Sequence, residues 1–147
     1  MNWLTPDKRQ EQKYIDLKLY SKPEELIRLT FNPLKMSDEP HWNPQWEEWN
    51  CYPTPLRIYY PDYKILLEEH FKKIYPTKDA FDGTPEDYLD ICSSNWLGAS
   101  DWHKLLSEME KHLDEMSNER RKFLLSFMEW VREALQHTKI IIVEGNL

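Results

Sequence analysis

Between Ser117 and Gln136 the apolar residues fall on two adjacent helical stripes. Phe123, Phe127, Trp130 and Ala134 form one; Leu124, Met128, Val131 and Leu135 form the other. A helix with a single apolar stripe buries one face against its neighbours. So wide a face has to be covered from two sides, and the pattern predicts a central helix. Just upstream, Trp102, Leu105, Leu106, Met109, Leu113 and Met116 recur at helical spacing, with Ser100 placed to cap their helix and Ser117-Asn118 to start the next. The core is therefore expected on Leu105, Leu106, Met109, Phe123, Phe127, Trp130 and Val131.

The rest of the chain is punctuated by helix-start signals. Thr5-Pro6-Asp7 places a capping hydroxyl, a proline and an acid in order, predicting a helix to about Leu19. Ser21 and Glu24 stand at capping-box spacing before Leu26, Ile27 and Leu29, predicting a second helix that Pro33 ends. Asn43-Pro44 opens a short helix with Trp46 and Trp49 on one face. Pro61-Asp62 opens another to about Tyr75, and Thr84-Pro85-Glu86-Asp87 a short one that breaks near Ser93. Only Leu56–Tyr60 and Lys139–Val143 have strand composition. The second could pair with the first or lie over the helices as an extended tail. The expected fold is mainly α: one domain over residues 1–147, an irregular helical bundle with at most this minor β element.

The net charge of −7 is concentrated. Residues 36–56 carry Asp38, Glu39, Glu47 and Glu48 with no lysine or arginine, and residues 79–103 carry Asp79, Asp82, Glu86, Asp87, Asp90 and Asp101, again with none. The two blocks hold −10 and leave +3 for the remainder. Aromatics are interleaved: Trp42, Trp46, Trp49 and Tyr52 in the first block, Phe81, Tyr88, Trp96 and Trp102 in the second. Aromatic anchors amid one sign of charge suit a surface for a basic protein partner; the alternative is two solvated loops with core tryptophans. Asp79, Asp82, Glu86, Asp87 and Asp90 form the stronger candidate set, followed by Asp38, Glu39, Glu47, Glu48, Trp46 and Trp49. Direct nucleic-acid binding is disfavoured, because this charge repels phosphates.

Several classes are excluded or disfavoured. The three glycines are too scattered for a phosphate-cradling loop or a dinucleotide fingerprint. Cys51 and Cys92 form no CxxC pair and read as reduced, buried small hydrophobes. The longest aliphatic run, Ile140 to Val143, is far shorter than the ~20 residues of a membrane helix. The first residues have no apolar leader core, so a cytoplasmic location is expected and no membrane partner. Glu108/His112 and Glu133/His137 stand one helical turn apart and could share a metal, but each is also an ordinary helical pair. Cys92 with His103 and Asp101 could be drawn as a nucleophile, base and orienter, though nothing in the spacing favours it. Neighbouring acids such as Glu86-Asp87 do not face one site on a helix. The expectation is no enzyme, no metal and no cofactor. The alternative is a small helical metal-binding protein or enzyme using the Glu/His pairs.

The stretch from Trp96-Leu97-Gly98-Ala99-Ser100-Asp101-Trp102 to Ile142-Val143-Glu144-Gly145-Asn146 resembles small bacterial immunity proteins that accompany polymorphic or contact-dependent growth-inhibition toxins. Immunity proteins share a task and no binding signature, so the resemblance carries over no site residue. It implies a tight stoichiometric complex with the C-terminal domain of a cognate toxin, often a nuclease with a basic cleft. An acidic adaptor or phage-encoded inhibitor is the further alternative.

Overall fold

The computed structural model describes residues 13–34 and 53–147. Of these, 39% are helical and 23% lie in strands, so the fold is mixed and not mainly α. Strands β1 (Ile15–Asp16), β2 (Arg28–Pro33), β3 (Leu56–Tyr59), β6 (Ser94–Gly98) and β7 (Ile140–Gly145) make one sheet in the order β1-β3-β2-β7-β6. Only β1 and β3 run parallel. A separate ribbon pairs β4 (Thr77–Lys78) with β5 (Pro85–Glu86). Helix α1 is continuous through Tyr60–Asp62, a π-helical Tyr63–Leu67 and Glu68–Lys72. Helix α2 is Ala99–Glu110, followed by a short 3-10 turn at Leu113–Glu115, and α3 is Asn118–Leu135.

The helices cover one face of the sheet. Register places Leu29 and Phe31 of β2 beside Ile58 and Leu56 of β3, and Phe31 beside Val143 of β7. These residues, with Leu97 and Ile141, share one buried cluster with the apolar faces of all three helices. Phe31 is its hub, fully buried, with Phe71, Trp102, Phe127 and Trp130 rings 5.4–6.4 Å away at tilted or edge-on angles. Such aromatic contacts add to the burial itself. Leu105, Leu106, Met109, Phe123, Phe127, Trp130 and Val131 are all buried, as the helical periodicity requires. Both stripes of α3 are covered: only Leu135 is partly open. Ser117 caps α3 by accepting from the Arg120 amide, whereas α2 begins two residues earlier than expected, with Gly98 and not Ser100 as its cap residue.

The N-terminal half overturns the helical-bundle expectation. Ile15 and Leu17 donate their amides to Pro55 and Arg57 of the β3 segment at 2.9 and 3.1 Å, which makes a strand where a helix to Leu19 was predicted; the Thr5-Pro6-Asp7 start lies outside the described residues. Ser21 does not cap a helix. Its hydroxyl donates to the Asp62 carboxylate at 2.8 Å, and the amides of Leu19 and Tyr20 donate to the same group at 3.0 and 2.7 Å. Asp62 is fully buried and, from the start of α1, holds the 19–21 segment across the fold. The predicted second helix is instead β2. The run Lys139–Val143 is a strand, but it pairs with β2 and β6 and not with Leu56–Tyr60, which places it inside the sheet. Among the described residues, no helix is long and apolar enough to cross a membrane.

Candidate functional site

The second acidic block folds into two turns at the β6 end of the molecule. In the first, β4 and β5 pair Thr77 with Glu86 and Lys78 with Pro85, and Asp79 to Thr84 connect them. The Asp79 amide donates to the Thr84 carbonyl and the Gly83 amide to the Asp79 carbonyl. Gly83 takes φ +77°, a left-handed conformation that glycine adopts without strain. The acids fasten their own turn. Asp79 accepts from the amides of Phe81 and Asp82 at 2.7 and 3.1 Å, and Asp82 accepts from that of Thr84 at 2.9 Å. The bonds from Thr84 hold the Asp82 carboxyl below its ordinary range. They also explain why Thr84-Pro85-Glu86-Asp87 starts no helix: the amide and carbonyl of Thr84 are already engaged within the ribbon.

The second turn is clamped by Asn95. Its side-chain oxygen accepts from the Asp90 amide at 2.8 Å, and its amide group donates to the Asp90 and Val143 carbonyls at 2.8 and 2.9 Å. Asp90 in turn accepts from the Cys92 amide. Gly145 of β7 donates to the Ser93 carbonyl, and a Cβ at Gly145 would stand 1.9 Å from the Ile91 carbonyl oxygen. The chain can approach this closely only because residue 145 has no side chain.

Between these turns lies a cleft of about 180 Å³ lined by Asp79, Glu86 and Asp90 together with Lys78 and Tyr75. Burial pushes the Tyr75 phenol well above its ordinary range; Tyr63 and then the acids Asp101, Glu86 and Asp79 add to the effect. Asp82 and Asp87 are exposed outside the cleft. Asp101 turns inward, buried, and accepts from the Thr77 hydroxyl at 2.8 Å, so it is not part of the acidic surface. Trp102 is also internal, its indole N–H on the Leu97 carbonyl. Phe81 and Tyr88 are 55% and 68% exposed, and Phe81 leans on Trp96 with ring centroids 5.0 Å apart. Among the described residues, Asp79, Asp82, Glu86, Asp87 and Asp90 form no ion pair. Asp38, Glu39, Glu47, Glu48, Trp46 and Trp49 lie outside the described residues.

The Glu/His pairs do form. His112 Nε2 is 2.9 Å from Glu108 Oε1, but the Lys73 ammonium donates to that same oxygen at 2.6 Å. Glu108 is held below its usual carboxylate range, chiefly by this bond to Lys73. His112 Nδ1 meets Glu115 at 3.1 Å, and Glu133 meets His137 at 3.4 Å. His70 is buried behind this network, its ring 6.0 Å from that of His112 and its Nδ1 without a hydrogen-bond partner among the described residues. Burial, followed by His112 and Lys73, pushes its pKa down. No three His, Cys, Asp or Glu side chains among the described residues are grouped to hold a metal. Cys92 is exposed, contrary to the expected core position. No family model, curated protein or solved structure matches the chain.

Proposed function

We propose that the protein is a cytoplasmic immunity protein, without catalytic activity or cofactor, that neutralises the basic C-terminal domain of a cognate bacterial toxin, a nuclease in our reading, by forming a stoichiometric complex. The observation that carries this reading is the pairing of exposed Phe81 and Tyr88 with acids that have no ion-pair partner among the described residues. A charge without an internal partner is available to a partner's cation, and an exposed aromatic is a ready anchor. In such a surface the acids steer encounter and the aromatics slow escape. The rigid turns support this role, since the Asp79, Asp82 and Asp90 side chains are already fixed by backbone amides and lose little freedom on binding.

The test is toxin protection in cells together with binding kinetics against the toxin domain. Reversing Asp82, Glu86 and Asp87 to lysine is expected to slow association, most strongly at low salt, because the Debye length is about 8 Å at physiological ionic strength. Phe81→Ala and Tyr88→Ala are expected to speed dissociation, each by the equivalent of about 2 kcal/mol where the ring is a hot spot. Asp38, Glu39, Glu47, Glu48, Trp46 and Trp49 form the second set for the same measurements. Folded variants of both sets that bind at the wild-type rate and still protect would show the acids to be solvated surface only. Protection of a non-toxin target by the intact protein would point instead to an acidic adaptor or phage-type inhibitor.

A further inference from the structure

On a chain of net charge −7, the groove between the end of α1 and α2 has the opposite character. Residues 100, 103, 104, 107, 108 and 111 share one side of α2, opposite the stripe that enters the core. With Lys73 and the buried Ile74 they line an open groove of about 570 Å³. Lys73, Lys104 and Lys111 supply three cations, and Ser100, Ser107 and His103 supply further polar groups.

Glu108 is the single acid in the lining, and it is saturated. One oxygen accepts from Lys73 at 2.6 Å and faces His112 at 2.9 Å; the other lies 4.0 Å from Lys111. The side chains of Ser100, His103, Lys104 and Ser107 have neither hydrogen bond nor ion pair among the described residues. The groove therefore carries excess positive charge and unused donors. Its cations are spread lengthwise: Lys104 and Lys111 are separated by about 10 Å along the helix axis at 1.5 Å per residue. A single small anion meets both only if the two flexible side chains fold toward each other, whereas a ligand with several negative groups in line spans that distance, and lysine is a point charge suited to phosphoryl oxygens.

We infer that this groove binds a linear oligophosphate, with Lys73, Lys104 and Lys111 facing successive phosphoryl groups and Ser100 and Ser107 donating hydroxyls along the chain. The site is separate from the acidic turns and independent of the proposed toxin complex. Two sources share this chemistry, inorganic polyphosphate and the triphosphate of a nucleotide.

The experiment is calorimetric titration of the full chain at low ionic strength with inorganic tripolyphosphate, orthophosphate and ATP. Tripolyphosphate is expected to saturate one site per chain, and orthophosphate is not expected to saturate over the same range. Lys104→Gln with Lys111→Gln is expected to weaken tripolyphosphate about tenfold. Lys22→Gln with Lys122→Gln removes the same charge from other exposed positions and is expected to change affinity by less than about twofold. Ser100→Ala with Ser107→Ala, which leaves net charge alone, is expected to weaken binding as well. Tighter binding of ATP assigns the groove to a nucleotide, and equal binding assigns it to polyphosphate; both uphold the inference. Absence of saturation by tripolyphosphate and ATP, orthophosphate binding as tightly as tripolyphosphate, or equal losses in the two lysine pairs overturns it. Circular dichroism on each variant confirms that the fold is kept.

Discussion

Asp62 offers the sharpest test of how the N-terminal segment is attached. The carboxylate is fully buried and accepts three bonds, from the Leu19 and Tyr20 amides and the Ser21 hydroxyl, across more than forty positions of sequence. Asp62→Ala removes every acceptor. Each amide left unpaired away from water costs about 1–3 kcal/mol, while the Ser21 hydroxyl can turn elsewhere. The two amides together set the expected loss at about 2–6 kcal/mol. Asp62→Asn keeps one acceptor oxygen but points an N–H₂ group at a donor, so its cost should be smaller, about 2–3 kcal/mol. Ser21→Ala deletes one bond and should cost about 1 kcal/mol. Urea denaturation at neutral pH measures all three as shifts in midpoint at constant slope. Amide hydrogen exchange adds a local readout, because Leu19 and Tyr20 should lose protection in Asp62→Ala before the rest of the sheet does. A loss below about 1 kcal/mol for Asp62→Ala, or an order in which Ser21→Ala costs most, would refute the anchoring argument.

Other perturbations reach different parts of the molecule. Gly145→Ala forces its Cβ onto the Ile91 carbonyl and should cost about 1–3 kcal/mol by overpacking while shifting the Asp90 turn, measured by denaturation and by amide shifts at Asp90 and Cys92. Phe127→Ala opens a cavity beside Phe31 and should cost about 3–5 kcal/mol in the same denaturation assay. His70 titrates below its ordinary 6.5 in the folded protein, so the unfolded chain takes up the proton first. Stability from this group is then complete above 6.5 and declines as pH falls toward the lowered value. His70→Asn should flatten that part of the stability–pH curve, leaving the fall that Glu108 produces below its ordinary 4.5.

The C-terminal helices were legible because their stripes are long and face a core that rewards helical period. Of the strands, Leu56–Tyr60 and Lys139–Val143 stood out by composition, whereas β1, β2 and β6 did not, for reasons visible in particular residues. In β2, Leu29 and Phe31 point to the helices, but Thr30 and Asn32 on the opposite face are buried too, which blurs the alternation that marks a half-buried strand. Ser21 and Thr84 have the chemistry of helix caps, yet each is committed elsewhere, Ser21 to a carboxylate far along the chain and Thr84 to its own ribbon. Trp96 and Leu97 sit between a polar turn and a helix start, so β6 read as a break. The acidic block was visible as composition. That Asp79, Glu86 and Asp90 share a cleft while Asp101 turns inward depends on the β4–β5 ribbon and on the Asn95 clamp to β7, which are tertiary facts. Cys92 reads from its residue type as a buried small hydrophobe, but it lies in an exposed turn whose backbone is held by Asp90.

The place of β7 inside the sheet, between β2 and β6, has a kinetic consequence. Its pairing with β2 brings together residues such as Asn32 and Ile142, 110 positions apart along the chain. Closing so long a loop loses chain entropy before any contact compensates, so this step slows folding well below the rate of the helices. Until it closes, Ile141, Ile142 and Val143 have β6 on one side and an open edge on the other. An apolar strand with unpaired amides is a template for a second chain. Native closure is unimolecular and capture by another chain is bimolecular, so refolding yield falls as protein concentration rises.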